Sequence, residues 1–124
     1  LFGGGSVNMR AAAVYAGDKK WGTAIELWKQ TYATKKGKKK MQAAYNLAVG
    51  YEMQDSIATA LDWALKAQAE ARIVDGVDKK DLTHLGKADL PYYVLTTLYV
   101  TELEERKAGL SRLNMQMQRF NDDF

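Results

Sequence analysis

The chain has 124 residues, a length that fits one domain better than two and is enough to bury an ordinary core without metals or disulfides. An apolar share of 47% sets it apart from disordered chains, and a net charge of +3 neither demands nor forbids an acidic partner. With no cysteine, a disulfide scaffold, a zinc finger and a thiolate nucleophile are excluded.

Alanine, leucine, lysine and glutamine are frequent and proline occurs once, which favours helix. No alternating strand pattern stands out. No apolar run is long enough to span a bilayer. The chain opens on Leu1 rather than Met, so the reading is of a fragment or a trimmed chain, and a signal peptide is not legible in it.

Gly3, Gly4 and Gly5 make residues 1–8 a flexible lead-in or the end of an upstream domain. A phosphate-binding loop would need a preceding strand and a following Lys-Ser or second-glycine pattern, and neither is present. From Met9 to Ala16 the pattern is that of a short apolar helix, broken by Gly17 and Asp18. A second helix is expected over 19–34, with a stripe of Trp21, Ala24, Ile25, Trp28 and Tyr32. The lysine-rich stretch around Gly37 marks a loop or frayed helix start.

A third helix is expected over 39–53, carrying Ala44, Leu47, Ala48 and Tyr51 on one face. Asp55 or Ser56 caps a fourth, over 56–72, which carries Ile57, Ala60, Leu61, Ala64 and Ala67. Residues 73–88 read as a loop, with turns at Asp75-Gly76 and at His84-Leu85-Gly86. Beyond Leu90-Pro91 the pattern is helical to about Phe120, through Leu95, Tyr99, Leu103, Leu110, Leu113 and Met117. Gly109 interrupts this run, or is absorbed in one long helix at a cost of about 1 kcal/mol relative to Ala.

The two helix pairs, 9–34 and 39–72, repeat one another. Ala12, Tyr15, Trp21, Ala24, Ile25 and Thr31 align with Ala48, Tyr51, Ile57, Ala60, Leu61 and Ala67, each pair 36 residues apart. Self-similarity near this period is the mark of helix-turn-helix arrays. Small residues at Ala12, Ala24, Ala48 and Ala60 let antiparallel helices approach closely, and Tyr15 and Tyr51 are expected to fill the wider gap beside them.

The segment Asn46-Leu47-Ala48-Val49-Gly50-Tyr51, followed by Ala60 and Ala67, resembles the tetratricopeptide repeat (TPR). The match over Met9 to Tyr32 departs from the pattern at Thr31. A third unit keeps only the step from Tyr99 to Ala108, with Thr96 in place of the usual small residue. The resemblance covers about half the chain well. It implies an all-α fold of TPR-like antiparallel helix hairpins over 9–124, an α-α superhelix closed by a long C-terminal capping helix. The strings from Gly17 to Trp28, Ala44 to Ala48 and Ala60 to Ala67 are also similar to TPR-bearing domains of uncharacterised cell-envelope lipoproteins from Bacteroidetes. That likeness implies the periplasmic face of a bacterial envelope, reached by a lipoprotein signal outside the given sequence.

TPR-like arrays bind peptides on a concave face lined by the first helix of each pair. The resemblance places Arg10, Ala13, Gln42, Asn46, Val49, Glu52 and Met53 there. An asparagine at the place of Asn46 hydrogen-bonds the peptide in domains that clamp a terminal carboxylate, and Arg10 would supply charge beside it. The clamp is incomplete here, since Ala13 and Met9 stand where polar groups belong. The plainer reading gives Asn46 local backbone or solvent contacts only.

Lys35, Lys36, Lys38, Lys39 and Lys40 are the strongest charge feature and a possible grip on nucleic-acid phosphates or anionic lipid. One lysine run without other basic clusters is more often a solvated loop, so a nucleic-acid partner is disfavoured. Trp21, Trp28 and Trp63 read as core rather than a ligand cage, with Trp63 and Leu27 as a candidate protein interface if exposed. His84 has Asp81 and Asp89 nearby but no second imidazole to complete a metal site. Glu102, Glu104 and Glu105, near Arg106 and Lys107, read as a solvated face. No serine sits in a nucleophile-elbow pattern.

The expectation is therefore a non-enzymatic module for protein interaction or scaffolding, without metal or cofactor, whose partner is a protein or peptide. The alternatives are anion binding through the lysine loop and a structural part of a larger envelope protein. Short arrays expose their ends, which favours packing on another domain or self-association.

Overall fold

The computed structural model describes residues 1–81, 83, 86 and 89–123, and among these the chain is all-helical. His84 and Leu85, and with them the turn and the metal site considered above, lie outside the described residues. Five α-helices follow in order: α1 (Val7–Gly17), α2 (Trp21–Thr34), α3 (Lys38–Met53), α4 (Ile57–Val74) and α5 (Pro91–Asp123), with a 3-10 turn at Val77–Lys79. Each helix packs chiefly on the next one along the chain.

Helix α1 starts at Val7, two residues before the apolar pattern does. Ser6 accounts for this, because its hydroxyl accepts the Met9 amide at 3.2 Å and caps the first turn. The turns α1–α2 and α3–α4 then repeat one geometry at a 36-residue offset. Tyr15 carbonyl accepts the amides of Asp18 and Lys20, and Tyr51 carbonyl accepts those of Gln54 and Ser56. Lys19 and Asp55, the equivalent third residues, both stand at φ +60° in the left-handed region. The residues that open α2 and α4 also agree, Lys20 at φ −87°, ψ 66° and Ser56 at φ −91°, ψ 68°.

Two clusters form the core. Met9, Ala12 and Ala16 of α1 meet Ala24, Ile25 and Trp28 of α2 and Ala43 and Leu47 of α3. Trp28 is wholly buried, and its indole N–H has no hydrogen-bond partner. Gly50 makes room for it, since a Cβ there would lie 3.1 Å from the Trp28 ring and 3.0 Å from Ile25 Cγ1. The second cluster joins Ala48 of α3 and Ile57, Ala60, Leu61 and Ala64 of α4 to Tyr99, Val100 and Leu103 of α5.

Three expectations are corrected. Tyr15 does not fill a gap beside Ala12; it is 38% exposed. Leu95 also faces outward, and Leu103 is the last wholly buried residue of α5. At Gly109 the second of the two readings holds, one helix running to Asp123, but Leu110, Leu113 and Met117 lie outside the core, at least 48% exposed. A helix of 33 residues runs about 50 Å, longer than the α4 face it packs on.

The start of α5 is fixed from far away in sequence. Asp75 at the end of α4 is buried, and its carboxylate accepts the Tyr93 amide at 2.7 Å. That satisfies one of the free N–H groups of the first turn and places negative charge at the positive end of the helix. Arg72, bonded to Asp78 at 2.9 Å, holds the 3-10 turn beside it.

Candidate peptide-binding groove

Helix α3 buries Ala43, Ala44, Leu47, Ala48 and Gly50 against its neighbours, which leaves Gln42, Tyr45, Asn46, Val49 and Glu52 on its other faces. Asn46 is nonetheless fully buried, and what buries it is the N-terminal segment of the chain itself. Its side-chain oxygen accepts the Phe2 amide at 2.8 Å, and its side-chain NH₂ donates to the Phe2 carbonyl at 2.6 Å. One amide side chain therefore satisfies both backbone polar groups of one residue, as a neighbouring β-strand would. Arg10 on α1 adds a third backbone contact, donating to the Gly5 carbonyl at 2.7 Å.

Residues 1–8 are thus not a free lead-in: Phe2 is held by α3, and Ser6 caps α1. The Phe2 ring lies edge-on to Tyr45, with centroids 5.4 Å apart, and 6.3 Å from the ring of Tyr92 at the start of α5. Tyr45 in turn sits 5.0 Å from Tyr99. Tyr99 donates its hydroxyl to Glu52 at 2.6 Å, and Arg106 pairs with the other oxygen of the same carboxylate. Burial raises the pKa of Tyr99, helped by the charges of Tyr45 and Glu102; burial and then Glu102 raise that of Tyr45. Both phenols stay neutral at physiological pH. Phe2, the three glycines, Lys38, Lys39 and Gln42 border an open cavity of about 330 Å³.

The residues expected on the concave face separate into three groups. Arg10 and Asn46 bind the N-terminal segment, Ala13 lies beside Gly3, and Gln42 borders the cavity with Phe2 and the glycines. Glu52 is engaged with α5, where it ties Tyr99 to Arg106, and Val49 packs half-buried on the second core cluster. Met53 is exposed on the last turn of α3.

The lysines have different neighbours. Lys40 turns to Glu70 at 3.9 Å and to the Tyr32 ring at 4.9 Å, whereas Lys38 lies 5.3 Å from the Tyr92 ring. Lys35 and Lys36 are exposed in the loop, and Lys39 passes beside Gly5. Trp63 is half-buried, edge-on to Tyr32 at 5.0 Å.

Sequence reasoning missed Phe2, Tyr92 and Tyr99 as parts of the site. The one local signal was an aromatic residue set directly before three glycines. Among the described residues no three His, Cys, Asp or Glu side chains group closely enough to hold a metal ion. No helix among them is long and apolar enough to cross a membrane.

Residues 10–105 match the model of a protein family described as Domain of unknown function (DUF6340), and the chain belongs to that family. No curated protein and no solved structure matches the chain.

Proposed function

We propose that this member of the DUF6340 family is a non-catalytic protein-interaction or scaffolding module, a short TPR-like array whose concave face holds a peptide segment of a partner protein. The 36-residue repetition of both turns, in dihedral angles and hydrogen bonds, supports the array. The observation that carries the binding function is the pair of hydrogen bonds from Asn46 to the Phe2 backbone. A buried amide aimed at the backbone of a non-helical segment holds peptide of varied sequence, because every non-proline residue offers the same two groups.

The test is site-specific photo-cross-linking in cells of the source organism. A cross-linking residue at Gln42, beside the groove, is expected to trap a distinct partner protein. One at Glu26, exposed on α2, is expected to trap none. Adding Arg10→Ala and Asn46→Ala should reduce the Gln42 adduct at least tenfold, since each takes away a backbone contact and the loss of one is worth roughly 1.4 kcal/mol. Equal trapping at both positions, or an adduct untouched by the substitutions, would refute the reading.

A further inference from the structure

Resting on that reading, we infer that the groove selects a segment in which an aromatic residue precedes small ones, and that Leu1–Gly5 is such a ligand held in cis, so that a partner peptide must displace it. Three features of the bound segment define the chemistry. First, its backbone is read at Phe2 by Asn46, and at Gly5 by Arg10. Second, the only side chain of the segment that enters the groove is an aromatic ring, met by Tyr45 and Tyr92. The carboxylate of Glu52 is already engaged by Tyr99 and Arg106 and is not left to pair with a guest. An aliphatic residue in place of the ring forgoes the ring–ring contact and is expected to bind about 2- to 12-fold more weakly.

Third, one residue after the ring is small for a stated reason: Gly5 holds φ +100°, a conformation that glycine alone adopts at low cost, while a Cβ at Gly3 would only touch the Ala13 methyl group at 3.5 Å.

The same geometry makes the cis ligand displaceable. Leu1 and Gly3–Gly5 are exposed, Phe2 is only half-buried, and a single residue, Ser6, separates Gly5 from α1. Residues 1–4 have no regular structure of their own to melt when they leave. A ligand tethered so closely competes at an effective concentration of about millimolar, which masks the groove from weak partners and yields to stronger ones.

The experiment titrates a C-terminally labelled Leu-Phe-Gly-Gly-Gly-Ser peptide into the full chain and reads fluorescence anisotropy. The Phe2→Ala chain is expected to bind it saturably, at least tenfold more tightly than the unsubstituted chain does. A peptide with Ala for Phe, which loses buried area as well as the ring contact, should bind at least tenfold more weakly, and adding Asn46→Ala, which removes both backbone contacts, should abolish binding. Gly5→Ala strains the tether without touching the core, and should unmask the groove in the same direction if Phe2→Ala fails to fold. In the unsubstituted chain the Phe2 amide should exchange with deuterium far more slowly than in the free peptide, and Asn46→Ala, which removes the acceptor as well as the donor, should erase that protection. Free exchange at Phe2, equal binding of both peptides, or no gain in either unmasked chain would overturn the inference. If cross-linking at Gln42 still trapped a partner, the groove would remain a binding surface and only the cis ligand would fall.

Discussion

The two hairpins turn alike and fill differently. Both turns place their third residue at φ +60° and carry the same carbonyl contacts, yet Trp28 of the first hairpin corresponds at the 36-residue offset to Ala64 of the second. In the first hairpin the bulk comes from α2 itself, and Gly50 of the next hairpin gives way to it. In the second, the small Ala64 shares its core cluster with Tyr99, Val100 and Leu103, so the bulk comes from α5. The backbone path thus follows the turn and the small residues, whereas volume is supplied from whichever side has it. The groove shows the same asymmetry, because Arg10 of α1 corresponds to Asn46 of α3 and only the second position reads both backbone groups of one residue.

The comparison breaks first at Trp28. Trp28→Ala leaves a cavity that no neighbouring helix fills, and is expected to cost about 3–5 kcal/mol by urea denaturation. Ala64→Gly, at the equivalent place, should cost only about 1 kcal/mol, the difference in helix propensity. A loss below about 1 kcal/mol at Trp28 would mean that the first hairpin also draws its volume from elsewhere.

Gly50 sharpens the point, because two effects of opposite sign meet there. Gly→Ala in a helix interior gains about 1 kcal/mol. Here the new methyl group would press on the Trp28 ring at 3.1 Å and on Ile25 at 3.0 Å, and both neighbours are buried. Overpacking of this kind costs about 1–3 kcal/mol, so Gly50→Ala should destabilise by about 1 kcal/mol net. In a Trp28→Leu background the ring contact is gone and only that with Ile25 remains, so the same substitution should cost less or nothing. The difference between the two backgrounds is the measurement, and its absence would remove Trp28 as a reason for a glycine at residue 50.

Much of this was legible in the residues. The apolar spacing of α2, α3 and α4 and the offset that joins Ala12 to Ala48 and Ala24 to Ala60 are local patterns, and helices and turns are local structures. Asn46 could be singled out by its place in the repeat. What occupies it could not, because the contact spans 44 residues and the segment that makes it carries three glycines, a composition that reads as flexible. The cap of α5 was hidden in the same way, since Asp75 acts across 18 residues on a helix whose nearest acidic neighbour in sequence is Asp89. Periodicity also failed beyond Leu103. Leu110, Leu113 and Met117 keep helical spacing, but spacing gives a face and not what lies against it.

The smallest effect tests the turns themselves. Lys19 and Asp55 share a left-handed conformation that costs most L-residues about 1–2 kcal/mol, and that aspartate tolerates better than lysine. Glycine removes that cost but loses about 0.5–1 kcal/mol through the freedom of the unfolded chain. The balance favours Lys19→Gly, which should stabilise by up to about 1 kcal/mol, while Asp55→Gly should lie near zero. Thermal denaturation of the two single variants and the double variant reads both. No backbone hydrogen bond joins the two turns, so their effects should add. A larger gain at Asp55 than at Lys19 would mean that the matching dihedral angles conceal unequal strain, and that the hairpins repeat in shape without repeating in energy.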